Sequence, residues 1–136
     1  MARDGGRMAS DGGARAATGT DGSAAPTIST HVLDTGSGRP AAGVHVTLSR
    51  LADDGRPIRM TQALTDEDGR VRDLLERPLT AGVYRLEFNP AGRGGTSASD
   101  GFFERVALDF RVADVTRSYH VPLLLAPFAI SSYRGS

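Results

Sequence analysis

From Thr27 onward the apolar residues fall mainly at every second position, the period of a strand with one dry face and one wet face. In "GVHVTLSRL", Val44, Val46 and Leu48 share one face, while His45, Thr47 and Ser49 share the other. In "GVYRLEFN", Tyr84, Leu86 and Phe88 point one way, against Arg85 and Glu87. In "ERVALDFRV", Val106, Leu108, Phe110 and Val112 alternate with Arg105, Ala107, Asp109 and Arg111. The turn signals "DTGSGRP", "ADDGRP", "TDEDGR" and "NPAGRGG" separate these runs. Short alternating strands at this spacing predict an all-β protein, an antiparallel β-sandwich. At most one short helix is expected, in "TSASDGFFERV", where Ser97, Ser99 or Asp100 would cap it.

One strand breaks the alternation. In "YHVPLLL", Tyr119, Val121, Leu123 and Leu125 form a core face, yet the opposite face carries His120, Pro122 and Leu124. A strand apolar on both faces is buried on both, and in a two-layer sandwich a second subunit is the simplest cover. Pro122 lacks a ladder donor, so the sequence predicts a sheet edge or a bulge there. In "ISTHVLD", Ile28, Thr30 and Val32 on the core side leave His31 and Leu33 facing outward. His45 lies on the polar face of its own strand and reads as surface.

A chain of 136 residues suits one domain. Residues 1–25 are mostly Gly, Ala, Ser and Asp with no large apolar residue except two methionines, so they read as a disordered leader. The folded domain is expected over residues 26–136. No segment has the roughly 7–15 apolar residues of a secretory signal or the ~20 of a membrane span, which points to a soluble, cytoplasmic protein. All sixteen cations are arginine and balance sixteen acidic residues, leaving no net field for nucleic acid or an anionic membrane. Without cysteine the chain has no disulfide, thiolate metal site or cysteine nucleophile.

The three histidines show neither HxH nor HxxxH spacing, which argues against zinc. There is no nucleophile elbow for a serine triad and no phosphate loop. Arg70 closes "TDEDGR", a turn that its Asp and Gly residues explain without any function.

The segments "STHVLDTGSGRPAAGVHVTL", "TDEDGR" and "YHVPLLLAPFAISSYRGS" together resemble the 5-hydroxyisourate hydrolases, the transthyretin-like enzymes of urate breakdown. The resemblance covers Thr27 to Ser136, and its most specific part is the terminal Tyr133-Arg134-Gly135-Ser136. It implies a sandwich of two four-stranded sheets, assembled as a homotetramer. It implies hydrolysis of 5-hydroxyisourate to 2-oxo-4-hydroxy-4-carboxy-5-ureidoimidazoline, without metal or organic cofactor. His31, Arg70, His120 and Ser136 would be catalytic, and His31, Arg70 and Tyr133 would bind substrate. Histidine suits the activation of water and the protonation of a leaving nitrogen, and arginine suits a carbonyl-rich ring and its oxyanion. The alternative is a carrier on the same sandwich, as in transthyretin, which has no use for these residues together. Which histidine is the base stays open at this level.

Overall fold

The computed structural model describes residues 25–90 and 101–135. Its strands in chain order are β1 (Ile28–Asp34), β2 (Arg39–Pro40), β3 (His45–Leu51), β4 (Pro57–Leu64), β5 (Arg70–Val71), β6 (Gly82–Asn89), β7 (Val106–Val112), β8 (Tyr119–Leu125) and β9 (Ile130–Ser132). Two sheets face each other, one ordered β4-β3-β6-β7 and the other β2-β1-β8-β9 with β5 also on β1. The second sheet therefore has five strands where four were expected. The extra member arises because two-residue β2 and β5 divide one edge of β1, β2 pairing Leu33–Asp34 and β5 pairing Thr30–His31.

The alternating residues meet between the sheets. Val44, Val46 and Leu48 of β3, Tyr84, Leu86 and Phe88 of β6, and Val106 and Val112 of β7 are buried. They pack against Ile28 and Val32 of β1 and against Tyr119, Val121, Leu123 and Leu125 of β8. Two of the polar side chains enclosed there, Thr30 and Thr65, are hydrogen-bonded to backbone carbonyls, as burial favours. Thr30 Oγ1 donates to the Val121 carbonyl at 2.6 Å, and Thr65 Oγ1 donates to Ala41 at 2.6 Å.

Three expectations are corrected. The sandwich is not wholly antiparallel, because β1 and β8 run parallel from Ile28↔Tyr119 to Asp34↔Leu125. The chain between them crosses the other sheet, so no hairpin constrains their direction. Ser49, assigned to a wet face, is buried. A bulge follows Leu48, where Leu48↔Thr61 gives way to Ser49↔Arg59, and Ser49 then lies in register between Arg59 and Arg85, whose long stems cover small neighbours. Finally, β8 is an interior strand, despite Pro122.

The register accounts for that proline. The pairs Leu125↔Ile130, Leu124↔Ser131 and Leu123↔Ser132 and the isolated bridge His120↔Gly135 share one alignment. Continued through the gap, it sets Pro122 opposite Tyr133, where the missing N–H interrupts the ladder. No α-helix occurs among the described residues; the helix expected at Ser97, Ser99 or Asp100 lies outside them, and residues 101–105 form bends.

Candidate active site

The outer face of the β1–β8 sheet collects the singled-out residues in rows. Cross-strand register sets Arg70 beside His31 and His31 beside Pro122. The next row joins Ser29 to His120 and His120 to Gly135. Alternation points all of these away from the core.

Arg70 reaches its row through the "TDEDGR" turn. Asp66 Oδ1 accepts from the backbone N–H groups of Asp68 and Arg70, each at 2.9 Å, and the Gly69 N–H donates to the Asp66 carbonyl. Gly69 has φ +75°, and its carbonyl accepts from Val32 N–H at 2.7 Å, tying the turn to β1. A Cβ at this position would run into the Val32 carbonyl. Gly69→Ala is expected to destabilise the fold by about 1–3 kcal/mol and to lower turnover by displacing Arg70. Gly38, with φ +74° and open space around it, is the control for backbone strain alone. Urea unfolding and kcat would be compared for the two alanine variants; equal, small effects at both positions would show that the close approach is unimportant.

His120 is half-buried, and its Nδ1 lies 2.8 Å from Ser29 Oγ. Burial is the main reason its imidazole titrates below the ordinary value of 6.5, with the charges of Arg70 and His31 pushing the same way. His31 also titrates below 6.5, chiefly through burial and then through Arg70; a contact with the Asp68 backbone and the charges of Asp66 and Asp68 partly offset this. Both rings are thus neutral at neutral pH. Among the described residues the Arg70 guanidinium has no carboxylate or hydrogen-bond partner. Ser29, Arg70 and His120 line an open pocket of about 460 Å³. His31 does not line it but sits in the adjoining row.

The tail packs directly on His120. The Gly135 N–H donates to the His120 carbonyl at 2.8 Å, and a Cβ on Gly135 would stand 2.6 Å from the His120 ring carbon Cδ2. The Arg134 guanidinium carbon lies 4.7 Å from the centroid of the Tyr119 ring, within cation–π range. Tyr133 is exposed and takes its place opposite Pro122, whereas Ser136 lies outside the described residues. His45 is exposed on the opposite sheet, away from the other two histidines. Among the described residues no three metal-ligating side chains stand together.

Sequence reasoning missed Ser29 and the Gly135 contact. Ser29 shares a face with His31 two residues away, but its partner is 91 residues distant and joined to it only by the parallel register.

The depressed histidines give a pH expectation. A histidine whose folded pKa lies below its unfolded value disfavours folding once the unfolded chain begins to take up protons. Stability should therefore decline as pH falls below about 6.5 and level off below the folded pKa values. Turnover needing a neutral imidazole should be flat above neutrality, with its acid limb below 6.5. Melting temperature and kcat/KM measured from pH 5 to 8 would check both; an acid limb above 6.5 contradicts the burial argument.

The fold recurs in known proteins. The HIUase/Transthyretin family model matches residues 28–135. A 5-hydroxyisourate hydrolase of Deinococcus radiodurans is 46% identical over 116 residues, covering 82% of this chain and 97% of that protein. The solved 5-hydroxyisourate hydrolase of Klebsiella pneumoniae superposes with a TM-score of 0.68 at 36% identity, covering 81% of this chain and 99% of the other. A sea bream transthyretin solved with thyroxine has a TM-score of 0.72 at 29% identity, covering 79% and 93%. Backbone likeness favours the carrier slightly and identity favours the hydrolases, so fold does not separate the two roles. With its matched span running from the first strand to Gly135, the chain belongs to the HIUase/Transthyretin family.

Proposed function

We infer that this chain hydrolyses 5-hydroxyisourate, and we propose that His120, Arg70 and His31 carry the reaction. The observation that carries the assignment of roles is the outward row system, in which Arg70, without a partner among the described residues, lines an open pocket with His120 and stands in register with His31, both imidazoles being held neutral. The hydrolase names of relatives at 36–46% identity favour catalysis over carriage.

In the proposed mechanism Nδ1–H of His120 donates to Ser29 Oγ, leaving the Nε2 lone pair to take a proton from water. The water oxygen bonds to the ring carbonyl carbon. Arg70 stabilises the oxyanion with its uncommitted donors, while His31 beside it contacts the substrate. When the carbon–nitrogen bond breaks, His120 returns the proton to the leaving nitrogen. Tyr133 contributes ring contact from the neighbouring register position. A role for Ser136 in orienting a histidine or water rests on sequence resemblance alone. Mixing the protein with freshly generated 5-hydroxyisourate and following its ultraviolet decay tests the reading, and decay at the uncatalysed rate refutes it.

Assembly as a homotetramer belongs to the same proposal. Leu33 and Leu124 are in register on the outer face and only half-buried in one chain, which leaves apolar surface for a second copy to cover. Leu124→Asp is expected to yield smaller species in light scattering, with activity lost alongside. A fully active monomer would remove the interface from the mechanism. Residues 1–25 are proposed to stand outside the catalytic domain of 26–136, in keeping with a family match that begins at residue 28.

A further inference from the structure

Two arginines outside the catalytic set face the same pocket. Arg72 follows β5 directly, one residue beyond the paired Val71, and lines the pocket with Ser29, Arg70 and His120. Arg117 stands in the segment before β8 and lines the pocket beside Ser118. Three arginines thus surround this cavity, and among the described residues none that lines it is acidic.

Neither added guanidinium is firmly committed elsewhere. Arg72 Nη2 is 3.6 Å from Asp68 Oδ2, beyond hydrogen-bond length, with both side chains well exposed. Arg117 has electrostatic contact with Asp114, but that carboxylate already accepts from the Thr116 N–H at 2.8 Å and the Thr116 hydroxyl at 2.5 Å. Three like charges around one opening repel each other until an anion enters. Guanidinium groups also offer paired donors that fit a carboxylate.

We propose that Arg72 and Arg117 form an anion-binding subsite that holds the carbonyl-rich substrate through paired donors and then the carboxylate created by ring opening. This rests on the hydrolase reading above. Ring opening adds the water oxygen to the carbonyl carbon, breaks the carbon–nitrogen bond and protonates the nitrogen. The new carboxylic acid then loses its proton to solvent, so a charge appears within the pocket as product forms. Arg70 serves the oxyanion, and Arg72 and Arg117 hydrogen-bond the substrate's oxygens and receive the product charge.

Arg72→Gln, Arg117→Gln and the double variant test this, with folding checked by melting temperature. Each single substitution should raise KM and the product-inhibition constant ~10-fold, the scale of one charge-assisted hydrogen bond, while kcat stays within about twofold. The rise of the product-inhibition constant with ionic strength should be shallower in the double variant than in the parent. Calorimetry with urate, a planar purine anion that is not turned over by hydrolysis, gives a readout independent of catalysis, and the double variant should bind it more weakly. Unchanged KM, salt dependence and urate affinity overturn the subsite, as does a loss confined to kcat. A parent protein that binds urate through these arginines yet fails to accelerate 5-hydroxyisourate decay would keep the subsite and remove the hydrolase reading.

Discussion

His120→Ala is expected to lower kcat about 10²–10⁴-fold, the range for loss of a positioned general base, with melting temperature nearly unchanged. The expectation follows from where the ring stands. It faces outward from β8, contributes nothing to the core between the sheets, and has Ser29 holding one nitrogen while the other is free for water. Its neutrality comes from burial and from Arg70, so a base is available without any change of pH. Ser29→Ala should cost less, because the ring remains while its orientation loosens; a shifted acid limb would mark that role. Arg70→Ala should fall in the same range as His120→Ala, since no other described group neighbours His31 with an uncommitted guanidinium. His45→Ala is the internal control, because that side chain lies on the outer face of the other sheet. Comparable losses at His45 and His120 would mean that the outward rows are not the site.

Truncation before Tyr133 should reduce turnover at least ~100-fold, the scale of one misplaced catalytic group, without unfolding the protein. The core is complete without the tail, and β9 ends at Ser132. What is lost is the wall against His120: the Gly135 N–H on its carbonyl, the flat contact along its ring edge, and the Arg134 contact with Tyr119 that aligns the segment. Gly135→Ala is the sharper test, since it adds only a methyl group. That methyl would stand 2.6 Å from Cδ2 and 3.2 Å from Cβ and Cγ of His120, closer than side chains tolerate, and the Ser29 bond opposes the ring's retreat. A kcat loss for Gly135→Ala with an unchanged melting temperature, together with an altered pH profile, is the expected signature. Full activity in both proteins would reduce the terminal motif to a family marker.

Individual strands were legible because alternation records how each residue divides between water and core, a decision made locally along the backbone. Val44, Val46 and Leu48, or Tyr84, Leu86 and Phe88, declare their face within a single strand, and the structure buries them accordingly. The doubly apolar "YHVPLLL" marked a strand covered on both faces, but its place in the interior of the sheet was not legible and its proline argued for an edge or a bulge. The motif words narrowed the family and named His31, Arg70 and His120.

Partnership was not legible in this way. Ser49 escaped its pattern because a bulge in β4, not its own strand, decides what stands over it. The parallel alignment of β1 with β8 joins Ser29 to His120 across 91 residues, and no local period encodes which strand lies beside which, or in what direction. The β1–β5 pairing brings Arg72 to the pocket beside Ser29, and the antiparallel tail brings Gly135 onto the ring of His120. Alternation thus determined which side chains face outward, while sheet order and register decided which of them meet. The physical reason is that burial acts on one residue at a time, whereas a site needs several residues brought to one place by hydrogen-bonded ladders that close only when the whole sandwich does.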